Sequence, residues 1–395
     1  MMRSRSPLFL LCALLLLIAA GCAESIDREV PPEGAIFSVT DLLLTADGKY
    51  LLLLSSNFER AYDHGRVSLL DLSSGEVIST VLVDSLGGRM IFADDEKTVY
   101  VTTRETHSLH RVDALRDLSG APWLVYHHNG TISEATQTVR REPYAMALGD
   151  NDRLLLVSHL LNGEVSIFQR DDTGDTLAGT FKMEAGITEL IADEPHGLYL
   201  TAHKNADFLG VLRITADIPK SEKTEGSVSA VVSRLELPLP LPGSDVRDIV
   251  PSGERPSTYY LSYRNSDQEG YEAPALLKME VVETAGMLAA ELRWVTAVTG
   301  DLGEAAVVPC GAEAGMELIF VASPSEHTVT AYESFGGTQL ARVEIKGCSP
   351  YQLHSRADDP ERRLFVDCFK EDRILLLRAD CQDRDRFLSV EEVAK

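Results

Sequence analysis

A short β-rich run ending at a polar or loop-prone position recurs seven times along the chain, and this recurrence limits the possible folds more than any other feature. The runs are DGKYLLLLSS (47–56), EKTVYVTTR (96–104), DRLLLVSH (152–159), HGLYLTAH (196–203), STYYLSYR (257–264), MELIFVAS (316–323) and RRLFVDCF (362–369). Each follows another short apolar segment, such as YAMAL (144–148), and most precede a third, such as VSLLDL (67–72) or VSIFQR (165–170). Gly, Asp and Asn mark the turns, and no long helical period interrupts them. Repeats of three or four strands, spaced by roughly 45 to 60 residues, predict an all-β fold, a seven-bladed β-propeller of four-stranded antiparallel blades.

The pieces ADGKYLLLLSS and GRVSLLDLSSGEVISTVLV resemble the YVTN-type β-propeller repeat, and Asp71 with Ser74-Gly75 matches its strand-ending Asp before a Ser-Gly turn. The likeness is clear in blades 1 and 3, fair in 2, 6 and 7, and poor in 4 and 5, where insertions at 216–230 and 265–275 interrupt the pattern. The resemblance implies a fold rather than a function, because propellers of this kind include binding modules, lactonases and redox enzymes. The WD-type signature is absent. Only two Trp occur, which argues against the tryptophan docking of quinoprotein propellers.

At the N-terminus Arg3 and Arg5 precede PLFLLCALLLLIAAGC, which reads as an export signal rather than a membrane span. Ala19-Ala20-Gly21-Cys22 resembles the bacterial lipoprotein cleavage box, with Ala19 where that family usually has leucine. The resemblance implies removal of residues 1–21 and lipidation of Cys22. With Ala23 rather than Asp next, it also implies sorting to the outer membrane, facing the periplasm or the cell surface. Residues 22–35, with acids and a Pro pair but no apolar period, read as a tether, and 36–395 as a single propeller domain. The hydrophobic share of 44% supplies a large core, and nothing after residue 22 is apolar for long enough to cross a bilayer. Membrane contact is therefore expected through the lipid anchor alone. A net charge of −24 repels phosphate backbones, so nucleic acid is not an expected partner.

Besides Cys12 and Cys22 the chain has four cysteines, an even number in an exported protein, which favours disulfides over thiolate metal sites or reduced core residues. A hairpin turn near 358–361 places Cys348 nearly opposite Cys368 on two paired strands, close enough for a bridge. Cys310 with Cys381 follows by exclusion.

The common signatures of metalloproteases, zinc ribbons, serine hydrolases and nucleotide enzymes are missing after Cys22. The segment CQDRDRFLSVEE (381–392) imitates a calcium loop through Asp383, Asp385, Ser389 and Glu392. It has Cys381 where the first acid belongs and Arg386 where the turn glycine belongs, so no metal or cofactor is expected.

Stacking the seven runs yields one column of end residues: Ser56, Arg104, His159, His203, Arg264, Ser323 and Phe369. In a propeller such positions ring one mouth of the central channel, and Arg89 and Arg247 lie on the same side, near the starts of innermost strands. Arg89, Arg104, His159, His203, Arg247 and Arg264 thus form a candidate anion site in an acidic protein, set against the bland alternative of solvated loop residues. The insertions 57–65 and 265–274 leave the same face and offer a protein-binding rim. Two functions follow: a binding or scaffolding module for a partner protein or an anionic small molecule, or a lactonase-like or other hydrolase with His159 or His203 as general base.

Overall fold

The structure is a computed structural model that describes residues 29–394 apart from 94–95, 117–121, 132–141, 172–173, 205, 218–226, 238–244, 265–273, 311–315, 380 and 382–388. Residues 1–28, including the export signal and Cys22, lie outside the described residues, as do Asp383, Asp385 and most of the two long insertions.

Seven antiparallel sheets of four strands each follow one another along the chain, with strand order equal to sequence order in every sheet. The innermost strands are β1 (Val39–Leu44), β5 (Gly87–Ala93), β9 (Pro143–Gly149), β13 (Ile187–Asp193), β17 (Asp245–Pro251), β21 (Ala305–Pro309) and β25 (Pro350–Ser355). The second strands are β2 (Tyr50–Ser55), β6 (Thr98–Thr103), β10 (Leu154–His159), β14 (Leu198–His203), β18 (Thr258–Arg264), β22 (Glu317–Ser323) and β26 (Arg363–Cys368). These are the seven runs that recur in the sequence, and the fold is the expected all-β, seven-bladed propeller. The second strands are apolar on both faces because each is covered by a blade on either side: β2, β6, β10 and β22 are buried along nearly their whole length.

Seven apolar clusters hold the ring, one for each blade–blade interface. Polar links add specificity between neighbours. The Glu317 carboxylate of blade 6 accepts from the Tyr260 and Ser252 hydroxyls and from the backbone N–H groups of Gly253 and Glu254 in blade 5. Ser257 of blade 5 donates to Asp193 of blade 4, whose other oxygen meets Nδ1 of His196. That same nitrogen faces Ser257, so this Ser, His and Asp form a structural link rather than a catalytic relay.

The last blade closes on the first without exchanging a strand. A cluster of Val39, Leu42 and Leu53 with Phe365, Ile374 and Leu376 fills the seam. Across it, Arg363 donates to the carbonyl of Gly48, Leu44 N–H donates to Nε2 of His354, and Ser38 N–H donates to Asp372. Two disulfides lie in the core between blades 6 and 7, Cys348–Cys368 within blade 7 and Cys310–Cys381 between the blades. Cys381, the first position of the calcium-like loop, is thus consumed in a bridge.

Candidate functional site at the channel mouth

Six of the innermost strands carry a register shift near their start where they pair with the second strand. A bulge adds a residue and re-aims its side chain. Stacked on these pairings, with β21 placed by the bond from Ala322 N–H to the Glu304 carbonyl, the residues at this point are Asp41, Arg89, Ala145, Glu189, Asp248, Glu304 and Gln352. They form the girdle of the channel.

Arg89 lies at the centre of the girdle. Its guanidinium is 2.8 Å from Glu189 and 2.7 Å from Glu304, with Asp41 at 3.9 Å. One side chain from blade 2 therefore ties blades 4 and 6 across the channel. Burial works against the Arg89 charge, but Glu304 and Glu189 outweigh it and hold the guanidinium protonated. Asp41 accepts from the N–H groups of Met90 and Leu42, and Asp248 accepts from Ala305 N–H at 2.9 Å. Burial nonetheless pushes Asp41 up to about 7, with Arg89 pulling back, and pushes Asp248 to about 7, reinforced by Glu304 and Glu189. Asp367, fully buried on β26 with neither carboxyl oxygen in a hydrogen bond among the described residues, is driven far above the usual carboxylate range by burial and then by Glu304.

Above the girdle the mouth holds two arginine–tyrosine stacks. Arg104 lies 5.7 Å from the Tyr144 ring, and Arg89 approaches that ring from below at 6.0 Å. Arg247 of blade 5 lies 4.9 Å from the Tyr351 ring of blade 7. It reaches over blade 6, where the matching residue is Gly303. A Cβ at Gly303 would come within 2.6 Å of the Tyr351 carbonyl, so only glycine lets the two inner strands approach. Nε of Arg104 and both Nε and Nη2 of Arg247 are buried without a hydrogen-bond partner among the described residues. Phe369 extends the rim, 6.2 Å from Tyr351 and 5.7 Å from Phe58.

The sequence column divides into two sets. His159 and His203 are the last paired residues of their strands, opposite Pro143 and Ile187. Arg104 is one residue further on, its N–H bonded to the Leu86 carbonyl, as Lys204 N–H is to Gly186. A shift of one residue along a strand reverses the side-chain direction. Both imidazoles are consequently buried. His159 Nε2 lies 2.8 Å from the Ser166 hydroxyl, and burial followed by the nearby His107 lowers its pKa to about 4. His203 meets the Thr201 hydroxyl at 2.7 Å, over a strand where Gly210 leaves room for the ring, and burial lowers its pKa too. Arg264 ends β18, and its side chain lies outside the described residues. The structure thus brings Arg89 and Arg104 together at Tyr144, sets Arg247 at Tyr351, and places both histidines inside the blades.

No protein-family model matches the chain, and no curated protein matches its sequence. Solved structures resemble it in fold. The periplasmic gluconolactonase PpgL of Pseudomonas aeruginosa is 15% identical with a TM-score of 0.59, over 87% of this chain and 96% of that one. A chain of Kuenenia stuttgartiensis hydrazine synthase is 11% identical with a TM-score of 0.58, over 91% and 99%. The dihydro-heme d1 dehydrogenase NirN, in complex with DHE, is 15% identical with a TM-score of 0.53, over 96% and 74%. Identities this low speak for the propeller architecture alone.

Proposed function

We propose that the chain is a cell-envelope lipoprotein of the bacterial outer membrane, anchored through Cys22, whose propeller is a binding module for an anionic small molecule or a partner protein presenting an acidic group. The observation that carries this reading is the pair of mouth arginines, Arg104 and Arg247, stacked on tyrosines with buried N–H groups that no described side chain accepts. Such donors cost stability unless an acceptor meets them, and a carboxylate or phosphate matches the guanidinium fork. Arg89 is already engaged by Glu189 and Glu304, so its part is to hold the floor beneath the ligand. His159, His203 and Arg264 remain members of the proposed site, the first two as supports within the blade walls.

Calorimetric titration with inorganic phosphate and with mono- and dicarboxylates tests the reading. A charge-assisted bond contributes about 1.5–3 kcal/mol, so Arg104→Gln and Arg247→Gln should each weaken binding by about tenfold or more. Affinity unchanged in the double variant would refute it.

A hydrolase reading keeps one observation in its favour: Asp248, with a pKa near 7 beside Arg89, is suited to proton transfer at neutral pH. A lactone panel would show turnover lost in Asp248→Asn if that reading holds. Turnover lost instead in His159→Ala or His203→Ala would return the role of base to the imidazoles.

A further inference from the structure

The first described residues of the chain are fastened to the mouth face. Glu29 bridges to Tyr62, its carbonyl accepts from Asp63 N–H at 3.1 Å, and Arg66 donates to the carbonyls of Pro31 and Pro32. These partners lie in or beside the connection from β2 to the third strand of blade 1, β3 (Gly65–Asp71), which opens on the mouth side. Seven residue steps separate Cys22 from Glu29, and even fully extended they span no more than about 25 Å. A small folded domain is about 30 Å across, too large to stand between blade 1 of this face and the lipid that Cys22 would carry.

We propose that the channel mouth faces the bilayer that anchors the chain, and that Arg104 and Arg247 take the phosphate of a lipid headgroup. The proposal rests on the lipoprotein and anion-binding reading above and names the ligand class of that site. Three further features agree with it. Phe58, half exposed at the rim and edge-on to Phe369, offers an aromatic side chain at headgroup depth. Guanidinium groups bind phosphate through two parallel N–H bonds, and Nε of Arg104 with Nε and Nη2 of Arg247 have no hydrogen-bond partner among the described residues. The acidic protein, at net −24 over its full sequence, is repelled by a strongly anionic surface but not by a zwitterionic one, whose phosphates still present the required acceptors.

The test uses the acylated full-length protein in phosphatidylcholine vesicles that contain a headgroup-borne quencher. A fluorophore is attached at Phe58→Cys on the mouth side or at Met287→Cys, an exposed position at the start of the outermost blade 5 strand, on the opposite face. Quenching several-fold stronger at position 58 is expected. Equal quenching, or more at 287, overturns the orientation. The preference should fall in the Arg104→Gln, Arg247→Gln double variant and in vesicles of digalactosyl diacylglycerol, which present sugar without phosphate; a preference unchanged in both overturns headgroup binding. Wild-type binding of soluble phosphate that the double variant loses, combined with equal quenching at the two positions, would leave the anion site standing and remove only its membrane orientation. No added lipid mass on Cys22 would overturn the proposal at its premise.

Discussion

Arg89 lies among the carboxyl groups of Asp41, Glu189, Asp248 and Glu304, and its side chain is only 13% exposed. Removing one partner from a buried ionic set leaves charge without compensation, which typically costs 3–5 kcal/mol. Arg89→Ala should therefore destabilise the propeller by about 3 kcal/mol or more in urea unfolding. The double change Arg89→Met with Glu189→Leu should recover part of that loss, because it removes charge in pairs. A loss within about 1 kcal/mol for Arg89→Ala would show that water or a bound ion already screens the girdle. The column of the girdle was legible in principle: VTDLLL and ITELIAD place an acid at the third position of an innermost strand, and DVRDIVP places one at the fourth. It emerges when innermost strands are stacked, whereas the second strands were the more regular repeat. The bulge that turns these residues inward has no signal in a single sequence.

At the scale of the element, strand pairing explains which expectations from the sequence carried over. The register argument for Cys348 and Cys368 works because a hairpin fixes its own pairing: Ser355 opposes Leu364 and Pro350 opposes Cys368. The end-residue column lacked that control, and a slip of one position mixed inward His159 and His203 with mouth-facing Arg104. The Cys310–Cys381 bridge closes a loop of 71 residues and crosses between blades, whereas Cys348–Cys368 closes one of 20. Loop-closure entropy grows with loop length, so in unfolding by guanidinium the double variant Cys310→Ala, Cys381→Ala should lose about 4 kcal/mol and Cys348→Ala, Cys368→Ala about 3 kcal/mol. The reverse ranking would mean that the packing of the blade 6–7 core outweighs chain entropy.

The whole molecule should register its buried acids as a dependence of stability on pH. Asp41 and Asp248 bind protons more tightly in the folded state, up to about 7, so their contribution is complete at low pH and is lost as pH rises through 7. His159 and His354, lowered to about 4 chiefly by burial, act in the opposite direction, adding stability as pH rises from 4 towards the ordinary imidazole value near 6.5. The two effects oppose each other below about pH 6.5, and only the carboxyls remain above it. Tm should therefore fall between pH 6.5 and 8 in calorimetry, and Asp248→Asn should flatten that fall. A Tm that climbs over the same range would contradict the raised carboxyl values.

The sequential order of strands within every blade has a mechanical consequence. A ring whose ends abut without an overlapping strand behaves as a split washer, parting where blades 1 and 7 meet, because the chain runs on from blade to blade at every other joint but not across that one. The Cys310–Cys381 bridge clamps blade 7 to blade 6. The gap would thus open on one side only, with blade 1 peeling away from a covalently stapled pair, and amide exchange in β1 should run ahead of exchange in β21.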